Sequence, residues 1–187
     1  MKYSLLLLLL TIVLPVLGVA QQIEESSVVN ASLAEFSNLH PLVVHVPIML
    51  LLLATCTQLA TFFIWKEPLD WITLLLLAGG VAGALAASNF THPHTHGLTP
   101  AAQQVLNLHD TYAGWTLGLS VAALVMKGVS LWILRGRRWL EIVVLLAVGG
   151  SASTVGMAAH YGGTLVYIHG VGVQGNYMEG QSDPSEE

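Results

Sequence analysis

The chain has almost no cysteine and very little charge. Cys56 is its single thiol, so no internal disulfide can form, and no CxxCH motif for covalently attached haem is present. Only 9% of the 187 residues are charged against 54% hydrophobic, and the mean hydropathy is +0.68, which excludes an ordinary soluble domain. Six lysines and arginines cannot build a basic patch, so nucleic acid is not an expected partner. A Gly-rich phosphate loop, an HExxH helix and a nucleophile–base–orienter set are likewise missing. What remains is the composition of an all-α integral membrane bundle surrounded by lipid.

Residues 1–20 read as a secretory signal, with Lys2 ahead of the apolar run Leu5 to Leu14 and a small-residue cleavage site at Gly18-Val19-Ala20. The alternative is an uncleaved first membrane helix. The mature chain is expected to start at Gln21, with residues 21–39 exported, and with a four-helix domain over 40–170 before an acidic, Gly-rich disordered tail over 171–187. Spans are expected at about 46–65, 69–88, 108–134 and 139–160. Val46 to Trp65 carries no charge, and at about 1.5 Å per residue it matches a hydrocarbon core of roughly 30 Å. Lys66-Glu67-Pro68 is expected to break the chain. Gly79, Gly83 and Ala87, four apart, allow close helix approach, and Thr99-Pro100 is a cap and first-turn pair for the third helix. Gln58 and the nearby threonines should turn inward and hydrogen-bond across helices, and Cys56 is expected as a small packing residue.

Sidedness follows from the cations. Lys66, Arg135, Arg137 and Arg138 fall in the two loops at one end, and Lys127, near that end, is expected to snorkel to it. The other end has no Lys or Arg in the mature chain. By the positive-inside rule this predicts a bacterial inner-membrane protein with both mature termini outside the cytoplasm.

All eight histidines then fall at or beyond the outer interface. His40 and His45 open the first span, His92, His94 and His96 follow the second, His109 precedes the apolar part of the third, and His160 and His169 come last. Imidazole is costly in hydrocarbon and is a common metal ligand, so His45, His109 and His160 on facing helices form a candidate cofactor site. Ala152, Gly156 and His160 line one helix face at a spacing of four, and Gly114 and Gly118 lie below Asp110 on another. Small residues beneath an imidazole leave room for a flat macrocycle, hence a b-type haem held by two histidines. The same small residues also serve plain helix packing. In the loop HPHTH, alternate residues His92, His94 and His96 can converge on Zn, Cu or Ni, or can simply be solvated.

The segments HPLVVHVPIMLLLLA and HYGGTLVYIHGVGV resemble the paired motifs of a bacterial family of small membrane proteins, domain of unknown function 2231. The resemblance covers about residues 38–173, with Tyr161 as a departure, because it separates His160 from the glycines that follow. It implies four spans, with His40, His45, His160 and His169 as motif positions. Some members resemble fusions with Rieske-type or cytochrome c-type domains, which implies electron transfer with a quinone, a periplasmic cytochrome or a Rieske-type protein as partner. The alternatives are a divalent metal-binding membrane protein and a structural subunit.

Overall fold

Prolines and polar residues set where each helix starts, and long uncharged runs carry it onward. A computed structural model describes residues 38–64, 66–91, 95–134 and 137–173. The proposed signal, the segment up to residue 37, the tail from residue 174, and His92, Pro93 and His94 lie outside the described residues. Among the described residues every regular element is helical.

The first span is built from α1 (His40–Val43) and α2 (His45–Ala60), separated by a turn at Val44. It begins six residues before the expected start at 46, because Pro41 occupies the first turn, where a missing N–H costs nothing. Asn38 Oδ1 accepts from the His40 backbone N–H at 2.6 Å. The span ends at Ala60, and the chain turns over residues 61–64. The expected breaker Lys66-Glu67-Pro68 instead forms the first turn of α3 (Lys66–Asn89), a position that tolerates proline.

Thr99 caps α4 (Pro100–Trp132) as its sequence suggests, its Oγ1 accepting from the Ala102 N–H at 3.2 Å with Pro100 in the first turn. The last helix, α5 (Arg138–Tyr167), runs seven residues past His160, so Gly162 and Gly163 are helical. Gly170, at φ 65°, then turns the chain so that the Val171 N–H donates to Leu165 O at 2.9 Å. The spans His40–Ala60, Lys66–Asn89, Pro100–Trp132 and Arg138–Tyr167 are each long and apolar enough to cross a membrane.

Each helix packs on its sequence neighbours and α5 returns against α2, which closes a four-membered ring in up-down order. Leu51, Ala54, Leu77, Ala123 and Val148, one or two from each span, form the fully buried centre. Glycine brings the first hairpin together. A Cβ on Gly80 would stand 2.8 Å from Leu51 Cδ2, and one on Gly83 would stand 2.9 Å from Pro47 Cδ, distances that only a bare Cα permits. Large apolar side chains such as Phe63, Leu75, Trp115 and Leu146 point away from the bundle, as a lipid-facing surface requires.

Candidate functional site

Two polar layers bracket the apolar centre, and each span contributes to both. From the first span come His40 and Gln58, from α3 Ala87 and Asp70, from α4 His109 and Lys127, and from α5 Ala158 and Glu141. The paired positions are 18, 17, 18 and 17 residues apart (58−40, 87−70, 127−109, 158−141). At about 1.5 Å per residue the layers stand roughly 26 Å apart, close to the thickness of a hydrocarbon core.

The first layer joins His40 and His109. Their ring centroids lie 6.0 Å apart with planes inclined by 71°. His109 Nδ1 donates to the Ala158 carbonyl at 2.8 Å, and His40 Nδ1 donates to the Ala87 carbonyl at 3.2 Å. A carbonyl only accepts, so each bond places a proton on Nδ1 and turns Nε2 away from that carbonyl. Backbone carbonyls thus fix tautomer and orientation, as they commonly do for metal-bound imidazoles. The His109 ring packs beside Gly162 of α5, where even a Cβ would meet Cε1 and Nδ1 at an ordinary contact distance of 3.4 Å.

The other histidines take different places. His45 is exposed, its Nδ1 donating to Pro41 O within its own turn at 2.6 Å. His160 is exposed and packs edge-on against Tyr161 at 5.4 Å, and Tyr161 stacks on Tyr112 at 5.6 Å. His169 is half-buried in the turn after α5, and His96 is exposed. Gly114, Gly118 and Gly156 are exposed, with open space where a Cβ would project, so the small-residue stripes face outward rather than into a slot between helices. The cause is helical phase: α5 buries Ser151, Val155 and Ala158, which leaves Gly156 and His160 turned away. Among the described residues no group of three His, Cys, Asp or Glu is gathered to hold a metal ion.

The second layer is one that reading for histidines passes over. Lys127 does not snorkel; its side chain is 0% exposed, and its Nζ donates to Asp70 Oδ1 at 2.6 Å and to Glu141 Oε2 at 2.8 Å. Ser130 Oγ donates to Glu141 Oε1, and Gln58 Nε2 donates to Glu141 Oε2 at 2.7 Å. Lys66, at the rim, reaches Asp70 Oδ2 at 2.6 Å and Glu141 Oε1 at 3.6 Å. Gln58 thus turns inward as its sequence context suggests, and Thr73 donates to Thr57 across the hairpin at 2.9 Å. Cys56, by contrast, is exposed on the outer face of α2 rather than packed. Three ionisable residues, Asp70, Lys127 and Glu141, at matching depth near one end of largely apolar spans were the available signal for this layer.

Comparison with curated proteins and with solved structures finds no match. A family model described as a predicted membrane protein, DUF2231, matches residues 37–175, which takes in all four spans and both polar layers. The chain therefore belongs to the predicted membrane protein family DUF2231, domain of unknown function 2231.

Proposed function

We propose that this protein is a small electron-transfer subunit of the bacterial inner membrane in which His40 and His109 hold the iron of a b-type haem. One observation carries the reading: two imidazoles from different spans stand 6.0 Å apart, each with its Nδ1 fixed on the backbone carbonyl of a further helix. About 2 Å of metal–nitrogen bond and about 1 Å from nitrogen to ring centre on each side would put two imidazoles across one ion about 6 Å apart. His40 and His109 would supply the two imidazoles that hold a b-type haem, whereas a tetrahedral zinc site needs two more ligands. A bound haem would supply a one-electron carrier.

The protein's own residues hold and orient. The Ala87 and Ala158 carbonyls hold a proton on each Nδ1, so that Nε2 would be the ligating nitrogen of each neutral imidazole. Lys66, Arg137 and Arg138 cluster at the opposite end, which through the positive-inside rule supports a periplasmic position for the histidine layer. There it would exchange electrons with a quinone or with a periplasmic carrier such as a cytochrome or a Rieske-type protein. A reduced-minus-oxidised visible spectrum of the purified protein tests this. A b-type spectrum is the expected result. A featureless spectrum from haem-replete cells, with Zn, Cu or Ni found by metal analysis, would replace haem with divalent metal binding.

A further inference from the structure

The charged layer balances its charge in an uneven way. Asp70, Glu141 and Lys127 are buried together and carry one net negative charge, which Lys66 neutralises from the rim. The two lysines divide the carboxylate oxygens between them. Lys127 holds Asp70 Oδ1 and Glu141 Oε2 from inside, and Lys66 faces Asp70 Oδ2 and Glu141 Oε1 from outside. Lys127 cannot leave, because its ammonium is fully buried and would have to cross the packed bundle. Lys66 can, since 47% of its side chain is exposed and its ammonium regains water as it leaves.

A second observation points to a ligand. Gln58 is fully buried and donates through Nε2 to Glu141 Oε2, yet its Oε1 accepts no hydrogen bond from any described residue. An amide serves two protonation states of a neighbouring carboxyl. Its NH2 donates to a carboxylate, and after half a turn its oxygen accepts from a carboxylic acid. The orphaned Oε1 is the acceptor that a protonated Glu141 would use.

We infer that Asp70, Glu141 and Gln58 form a proton-binding site for which Lys66 is a tethered, displaceable cation. When Lys66 swings toward water, the buried charge of minus one is neutralised by one proton from the aqueous phase on that side. The proton comes from hydronium or a buffer acid, whose conjugate base stays in solution, and an O–H bond forms on a carboxylate of the Asp70–Glu141 pair. The charged groups facing the site are Lys66 and Asp70 from α3, Lys127 from α4 and Glu141 from α5, while α2 gives the neutral Gln58. Arg138 is engaged elsewhere, with its guanidinium over the Phe62 ring at 5.3 Å. An alkali cation suits the place less well, because Lys127 already takes one oxygen of each carboxylate.

The inference does not rest on haem, and its test needs none. Infrared spectra of the full-length protein in lipid nanodiscs at neutral pH should show one carboxylic-acid C=O band in Lys66→Gln that is missing from wild type and from Lys66→Arg. The band should shift in D2O and vanish in Lys66→Gln with Glu141→Gln and Asp70→Asn. Acetic anhydride gives a second route that needs no variant to fold: among the described lysines Lys66 is exposed and Lys127 buried, so acetylating folded wild type should raise the same band. A folded Lys66→Gln or acetylated protein without a carboxylic-acid band overturns the inference. So does stabilisation of Lys66→Gln by sodium or potassium chloride in place of proton uptake.

Discussion

The His40 and His109 rings lie 6.0 Å apart with planes inclined by 71° although 69 residues (109−40) separate them, and the carbonyls that orient them belong to two further helices. If these two imidazoles hold the proposed haem, His40→Ala and His109→Ala should each abolish the b-type spectrum. His160→Ala should keep it, because His160 is exposed beside Tyr161 on the outward face of α5. Difference spectra of the three variants at equal protein concentration decide this. Loss of the spectrum in His160→Ala with retention in His109→Ala would move the site to the Tyr161 face.

A loop chelator and a bundle site should part under a chelator. Replacing His92, His94 and His96 with Ser should leave the haem spectrum unchanged and remove any metal that exchanges rapidly with EDTA, because ligands drawn from one short stretch between spans do not depend on the bundle to assemble. Equilibrium dialysis with Zn or Ni, run beside the visible spectrum, measures both. A triple variant without a haem spectrum would show that the loop supplies a ligand.

Helix number was legible because four apolar runs of spanning length, each with few charges, have no other stable home. Boundaries were less so. Proline at 68 looks like a breaker in sequence, but it sits in the first turn of α3, where it harms nothing, and Pro41 likewise lets the first span start earlier than its apolar run. His40 and His109 were both legible as candidates, yet their pairing was not, since it depends on how far α4 extends beyond the hydrocarbon and on the carbonyls of Ala87 and Ala158, which carry no side-chain signal. Lys127 shows the opposite failure. A lysine near a helix end suggests snorkelling, and only the helical phase that aims it at Asp70 and Glu141 overrides that default.

Sidedness can be read by labelling. In a Cys56→Ser background, needed because the native thiol is exposed, a cysteine at Arg137 should be reached by a membrane-impermeant maleimide only from the cytoplasm, and one at Thr95 only from outside. The reverse pattern in intact cells and inverted vesicles would place the histidine layer in the cytoplasm.

The glycines separate into two kinds, and alanine distinguishes them. Gly83→Ala forces a methyl to within 2.9 Å of Pro47 Cδ and 3.2 Å of its backbone nitrogen, an overpacking that should cost about 1–3 kcal/mol. Gly156→Ala meets open space and should be neutral or mildly stabilising through helix propensity. Unfolding of the two variants in mixed detergent micelles gives the comparison, and equal losses would mean that the outward face of α5 is itself packed against something in the membrane.

Lys127 is the residue whose loss the bundle should tolerate least. Lys127→Met keeps the volume but strands two buried carboxylates, and breaking a buried ion pair from one side costs about 3–5 kcal/mol. Adding Asp70→Asn and Glu141→Gln should recover most of that loss, since the penalty belongs to uncompensated charge and not to missing contact area. The same unfolding assay applied to the single and triple variants measures the recovery. If the triple variant were as unstable as Lys127→Met, the ammonium would be holding the four helices through its own hydrogen bonds, and the layer would be a structural clamp before it was an electrostatic one.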